Sequence, residues 1–430
     1  MWPFRRKQTR AAGEWDTWRN IPFFGYGQTG AGVTVTAENP ITHHTVFSCI
    51  NVIAEGVAML PLNIYRERGP TRQLATDHPL YELLLTSPCP HMTAFAYWKL
   101  AFFEKLHYGN HFSLKVFDGA GRLAELVPIE NGQVQPFWYQ DPVDGMKRRA
   151  YRVSTPDGTQ ATFLEDEIFH IQNLPILRGP NYGLMGASVW QHYQAETMGG
   201  ALATNQFAAK SFANGAGLSG MISVEASLQS DQARELRELV REAYAGSDNA
   251  GKIGVFGNDA KFTPMSMDAQ KSQLLESRKF DRSVIAGILR VTAHLINDLE
   301  RGTFSNVEHL DLSHYKHCLL PHLTDLCQTA AKDLLTPEER RTLYVEPDPT
   351  VLLMGDQKTL GEVLEKAVNN GRMTPNEARA IENRPPKEGG DELYINGASI
   401  PLRLAAKGQG RPGAAPAPTQ EDKANANPDA

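Results

Sequence analysis

Long apolar runs are missing from this chain. Nothing in it approaches the roughly 20 residues needed to cross a bilayer, and its start, Met1-Trp2-Pro3-Phe4-Arg5-Arg6-Lys7, has basic residues with no apolar stretch behind them. This is the pattern of a protein that folds in the cytosol with no membrane partner. Cysteine is also scarce, with 4 in 430 residues. Cys49, Cys89, Cys318 and Cys327 form no C-x-x-C pair, which excludes a disulfide framework and a zinc site of the usual spacing and leaves reduced, buried thiols as the expectation. No Walker A sequence occurs, so the chain lacks a P-loop for nucleoside triphosphates. Positive charge is short as well, the formal net charge being −6. A domain that wraps nucleic acid tightly matches phosphates with Lys and Arg and is usually strongly basic. This balance excludes a general, tight DNA binder, although a surface past which DNA must slide gains from weak repulsion.

With 41% apolar and 21% charged side chains, the chain can bury about two to four domain cores. Residues 1–40 are aromatic, Gly-rich and aperiodic, an arm that needs a surface to order it. Val46, Cys49, Ile50, Ile53, Val57 and Leu60 then recur at helical spacing until Pro61. A strand at Leu62–Tyr65 follows, and Pro79 opens a short helix carrying Leu80, Leu83 and Leu84. Thr93 is placed to cap a helix over Ala94–Tyr108, which Gly109-Asn110 closes with a left-handed residue. Strands are predicted at His111–Phe117, Leu123–Pro128, Val134–Tyr139, Tyr151–Val153, Thr162-Phe163 and Glu167–Ile171. The first 175 or so residues therefore read as α+β.

Composition then shifts. Ser188–Asn214 is helical and rich in Ala and Gly, and Asp231–Tyr244 is an amphipathic helix. Gly251–Met267 reads as two short strands turning at Asn258-Asp259. Helix Asp268–Val291 is long and charged, a break follows at Asn297–Thr303, and a second long helix, Ser305–Leu335, contains a kinking Pro321. Leu360, Val363, Leu364, Ala367 and Val368 form a further helix closed by Gly371. Thr374-Pro375-Asn376-Glu377 supplies an N-cap, an N1 proline and a capping-box Glu. Pro385-Pro386 end that helix, and after Leu404 the composition is that of a disordered tail.

Chemistry-bearing motifs are weak. Gly25-Tyr26-Gly27-Gln28-Thr29-Gly30 is a literal G-x-G-x-x-G, but Val33–Thr36 after it look extended and Glu38 is too near to be a ribose-binding acid. His309, His314, His317 and His322 sit at helical spacing without a second ligand cluster. Ser188 lacks the second glycine of a nucleophile elbow, and Glu165, Asp166 and Glu167 lie in a polar turn. No catalytic residue, cofactor or metal is assigned.

Two features stand apart from enzyme chemistry. Lys271, Arg278 and Arg282, seven and four apart, share one stripe of the Asp268 helix, with Glu276 and Asp281 off it. The stripe is either a solvated face or a basic lining. The connection Leu295–Asn306 between the two long helices is longer than the usual two to eight residues and carries Leu299 and Phe304.

The order of short motifs resembles that of the portal proteins of long-tailed, lambdoid-type bacteriophages. The residues that carry it are Ser48–Ala54 with Leu60-Pro61-Leu62, His78-Pro79-Leu80, Tyr108-Gly109-Asn110, Asp118–Gly121, Leu126-Val127-Pro128, Gly183–Ser188, Phe212–Ala216, Gly302–Glu308, Met373–Arg379 and Glu388–Asp391. Each is short, but together they run in the family's order from about Val46 to Asn396. One departure is that the family's common Val-Pro at the end of its second stem helix is replaced by Arg290-Val291-Thr292-Ala293, which lets that helix run further.

The resemblance implies an α+β portal fold: an arm at 1–40, a wing at 41–187, stem helices at 188–214 and 268–296, a clip at 215–267, a tunnel loop at 297–304, a long wing helix and following strand at 305–354, a crown at 355–400 and a tail at 401–430. It implies a homo-oligomeric ring, of twelve copies, at one capsid vertex of the virion, made in the bacterial host cytoplasm. Its partners would be the major capsid protein, the terminase large subunit, a head-tail adaptor and double-stranded DNA passing without sequence recognition. On this mapping Asn297, Asp298, Leu299, Glu300, Arg301, Gly302, Thr303 and Phe304 form the tunnel loop, and Lys271, Arg278 and Arg282 line the stem channel. The alternatives are a head-tail adaptor ring and a nucleotide-binding enzyme using Gly25–Gly30.

Overall fold

Helix α1 spans His44–Ala58 and buries Val46, Cys49, Ile50, Ile53, Ala54 and Val57, the stripe that its spacing dictates. The structure is a computed structural model and describes residues 29–68, 71–155, 158–177, 182–190, 194–213, 220–223, 261–264, 268–298, 307–348, 357–382 and 384–394. Within 231–238 it describes only Asp231, Arg234, Glu235 and Glu238, all helical. The chain divides into two units, one up to Pro347 and one from Asp348.

In the first unit, β1 (Leu62–Arg68) pairs antiparallel with β2 (Thr71–Leu74) on one edge and with β11 (Leu343–Pro347) on the other. Strand β2 has little alternation and is not legible beforehand. His78 caps α2 (Pro79–Leu85), and Pro79 occupies its first turn, where a missing N–H costs nothing. In α3 (Ala94–Tyr108), Thr93 Oγ1 accepts from the Ala96 N–H at 3.2 Å.

Strand β3 (Asn110–Phe117) lies between β4 (Leu123–Ile129) and β8 (Ile168–Gln172), while β5 (Val134–Gln140), β6 (Lys147–Ser154) and β7 (Gln160–Leu164) form a meander. Phe112, Ile129, Val134, Tyr151, Val153 and Ile168 make a common core between these two sheets.

Two motifs distant in sequence meet where α3 turns into β3. Gly109 has φ +88°, and a Cβ there would lie 2.5 Å from the Ala187 carbonyl carbon. A Cβ on Gly186 would lie 2.2 Å from the Gly109 oxygen. Only glycine at both positions allows this backbone contact. Asn110 completes it, its Oδ1 accepting from the Gly186 N–H at 2.7 Å and its Nδ2 donating to the Gly186 carbonyl at 3.0 Å.

Helix α4 covers Ala195–Ala213, starting later than the predicted Ser188, because Ser188 is buried and donates to the His107 carbonyl at 2.8 Å. Strand β9 (Gly220–Ser223) pairs with β10 (Lys261–Pro264). The turn at Asn258-Asp259 lies outside the described residues. Helix α5 spans Asp268–Leu289, two residues shorter than predicted.

The predicted helix with Pro321 is in fact three segments, α6 (Val307–His314), a π-helical turn (Tyr315–Leu319) and α7 (Leu320–Leu334). Proline has no N–H for the His317 carbonyl and its ring crowds that carbonyl. The wider turn before Pro321 absorbs both defects without breaking the helix.

Two buried lysines fix α7 to the body. Lys105 Nζ, on a side chain 2% exposed, lies 2.6 Å from Asp325 Oδ2 and 4.9 Å from the Phe102 ring centre. Lys115 Nζ donates to the Asp333 carbonyl at 2.6 Å, placing a cation at the carbonyl end of the helix. Burial pulls both lysines below the ordinary lysine pKa, against the pull of Asp325 and Asp333.

The second unit contains α8 (Gln357–Asn369) and α9 (Pro375–Ile381). The capping box is present: Glu377 N donates to Thr374 Oγ1 at 3.2 Å and Thr374 N to Glu377 Oε2 at 2.8 Å. Gly371 takes φ +65° to close α8. Asn376 folds 384–394 back onto α9, accepting from Lys387 N at 2.8 Å and donating to the Lys387 carbonyl at 2.9 Å and to Asp391 at 2.8 Å.

Asp325→Ala strands the buried Lys105 ammonium and is expected to cost about 3 kcal/mol. Lys105→Met releases Asp325, half exposed, to water and is expected to cost clearly less. Thermal unfolding of the two variants checks the order. His107 and His322 are pushed down to about 4 by burial. Their folded pKa lies below the unfolded value, so the stability they allow is complete above pH ~6.5 and is lost as pH falls toward 4. A pH series of unfolding curves is expected to fall over that window and to flatten in His107→Leu.

Candidate functional site

The junction between α5 and α6 carries the predicted loop. Helix α5 ends through a Schellman pattern: Val291 N donates to the Ala286 carbonyl at 2.9 Å and Arg290 N to the Gly287 carbonyl at 3.1 Å. Arg290 takes the left-handed position, φ 57°, that glycine usually fills. The absence of glycine there hides the helix end. Far from running on, α5 stops at Leu289, and Ala293–Ile296 form a 3-10 turn. Asn297 is left-handed at φ 58°, and Asp298 N donates to the Ala293 carbonyl at 3.0 Å.

Three residues of the α6–π–α7 helix hold this turn. His294 Nε2 lies 2.7 Å from Asp311 Oδ1. The His314 ring hydrogen-bonds to the Arg290 backbone, and burial still leaves its pKa below the ordinary value. Cys318 Sγ donates to the Leu289 carbonyl at 3.4 Å. Positions 311, 314 and 318 are three and four apart, one helical face. Sequence reasoning missed this clamp; the only signal was that spacing within the His-rich segment.

Arg278 and Arg282 lie on the face that α5 turns to α4 and α1. Arg278 Nη2 donates to Asn205 Oδ1 on α4 at 3.2 Å. Arg282 Nη1 is 3.8 Å from Asp298 Oδ2, tying the basic stripe to the first residues of the loop. Arg278 is exposed and Arg282 half-buried. Lys271 belongs to α5, but its side chain, like Leu299, Glu300, Arg301, Gly302, Thr303 and Phe304, lies outside the described residues. The structure therefore brings Arg282 and Asp298 together, while residues 299–304 of the loop lie outside the described residues. At the N-terminus of α1, burial together with His44 and Arg278 pushes His43 down to about 4.

One acid–imidazole–hydroxyl grouping among the described residues is closed to substrate. Glu104 Oε2 lies 2.6 Å from His111 Nδ1, and His111 Nε2 lies 2.9 Å from Ser113 Oγ. This acid–imidazole–hydroxyl chain has the order of a hydrolytic triad. His111 and Ser113 are nevertheless 0% exposed and Tyr97 OH lies 2.7 Å from Ser113, so the chain acts as an internal brace between α3 and β3. Gly30 N donates to Glu196 Oε2 on α4 at 2.9 Å, and a turn follows it where a nucleotide fingerprint would open a helix. Residues 25–28 lie outside the described residues. His314 is buried in the clamp while His309 and His317 are exposed. No metal-binding group of three or more His, Cys, Asp or Glu occurs among the described residues.

The α5–α6 junction thus sits on an α+β body. The chain belongs to the phage portal protein family, which it matches over residues 44–383. It is 25% identical over 385 residues to the portal protein of Enterobacteria phage HK97, covering 89% of this chain and 88% of that one. It is 26% identical over 388 residues to the probable portal protein of Streptomyces phage phiC31, covering 88% and 82%. Among solved structures, a chain in the neck of a native gene transfer agent particle, computed with C12 symmetry, aligns with TM-score 0.51 and 20% identity over 82% of this chain and 91% of that one.

Breaking the His294–Asp311 contact by Asp311→Ala is expected to free the turn by about 1 kcal/mol. Amide exchange at Asn297 and Asp298 then accelerates about fivefold while the melting temperature hardly moves.

Proposed function

We propose that this chain is one subunit of a twelve-membered ring at a single capsid vertex, through which double-stranded DNA is packaged and ejected. The observation that carries the reading is the family match from residue 44 to 383 on a described α+β fold. The twelvefold count is supported by the C12 symmetry of the gene transfer agent neck. Twelve copies at −6 each carry about 12 × −6 = −72 charges, which disfavours tight wrapping and suits transit.

In this reading α4 and α5 are the stem, β9 and β10 belong to the clip and the second unit is the crown. Residues 297–304 form the tunnel loop that constricts the passage, and Lys271, Arg278 and Arg282 supply local positive charge. Their long stems let guanidinium and ammonium groups leave the seam for solvent. Such contacts meet phosphates without reading bases. The terminase large subunit, the head-tail adaptor and the major capsid protein dock on the same ring, which places the protein in the virion after synthesis in the host cytoplasm.

The double variant Arg278→Glu/Arg282→Glu is expected to assemble rings but to package or retain less DNA, as is deletion of Leu299–Gly302. Wild-type packaging and retention in both variants contradict the assigned roles of stripe and loop.

A further inference from the structure

A ring closed by rotation needs two different surfaces on each copy that fit each other. The pair α4–α5 carries two such stripes. The Arg278–Asn205 contact defines the faces that the two helices turn to each other, and buried Met198, Ala201, Leu202 and Ala208 on α4 and Ile285, Ala286 and Leu289 on α5 extend those inner sides. A residue two positions on lies roughly 200° round the helix axis, so Phe207 and Phe280 point away from the pair on opposite outer sides. They are 60% and 69% exposed, unusual for two phenylalanines on one short helix pair.

Each phenylalanine lies in a stripe that runs from glycine through a second small residue and phenylalanine to a charged residue. On α4 the outer stripe reads Gly200, Ala203, Phe207, Lys210; on α5, read in the opposite chain direction, it reads Gly287, Ser283, Phe280, Glu276. Both run at helical three- and four-residue spacing. Gly220, shortly after α4, pairs with Pro264, shortly before α5, so the two helices run antiparallel, both stripes descend in the same direction, and matching them pairs small with small, Phe with Phe and Lys with Glu. Gly200 and Gly287 each face open space, with nothing within 4 Å of an added Cβ, so two backbones can approach there. Lys210 and Glu276 are both exposed, and their opposite charges select this register over one that opposes like charges.

We propose that the α4 stripe Gly200–Ala203–Phe207–Lys210 of one copy packs against the α5 stripe Glu276–Phe280–Ser283–Gly287 of a second copy of this chain. The inference rests on the ring reading and deepens it by naming the lateral seam. Contact is head-to-tail, so the same pair of stripes repeats at every step of the ring.

Ala203→Cys/Ser283→Cys tests it in the full-length chain. The two positions lie on opposite sides of the helix pair, and the four native thiols are buried, so a disulfide joining them forms only between copies. Mild oxidation is expected to give a ladder of cross-linked species rising to the closed ring, absent in either single variant. Rings seen by microscopy with no ladder overturn the seam and leave the ring reading intact; no rings at all in the unmodified protein overturn both. Independently, Lys210→Glu is expected to lower ring yield about tenfold and added Glu276→Lys to restore it. Failure of that rescue, with both variants folded, counts against the proposed register.

Discussion

Lys105 and Lys115 reach from α3 and β3 into the flank and carbonyl end of α7, and the position of the helical junction depends on that grip. An ammonium group in an apolar interior is costly unless a partner holds it, so each lysine has one place to go, and α7 must provide it. With α7 fixed, the π turn before Pro321 sets how the helix continues backward into α6. That rotation presents Asp311, His314 and Cys318 on one side, where they seize the end of α5. The loop predicted to face the passage thus springs from a base that is tied, through four elements, to two buried charges.

The same logic accounts for the family motifs. Tyr108-Gly109-Asn110 and Gly183–Ser188 are far apart in sequence, yet Gly109 and Gly186 touch backbone to backbone and Asn110 binds both polar groups of Gly186. In the second unit, Asn376 from one motif binds Lys387 and Asp391 at and beside another. Strings that look weak one at a time are halves of contacts, and a contact needs both halves in order.

Elements with local chemistry were readable. The Thr93 cap, the left-handed Gly109, the Pro79 start and the Thr374 capping box are all set by residues within one turn, and all occur. What escaped was governed from elsewhere. Strand β2 exists because β1 offers an edge. Ser188 leaves the helix because His107 offers a carbonyl, and α5 ends at Arg290 in a left-handed conformation that glycine normally signals. Arg282 and Asp298 were both candidates on the sequence, but their pairing was not legible there, because it joins a helix face to a turn whose course depends on His294 and Asp311.

This member of the phage portal protein family combines a negative charge balance with a clamped helical junction. The central claim about it is closure of identical copies into a ring. Electron microscopy of the purified full-length protein tests that most directly: twelvefold rings with a central opening wide enough for duplex DNA are predicted, and a homogeneous population of compact monomers would contradict it.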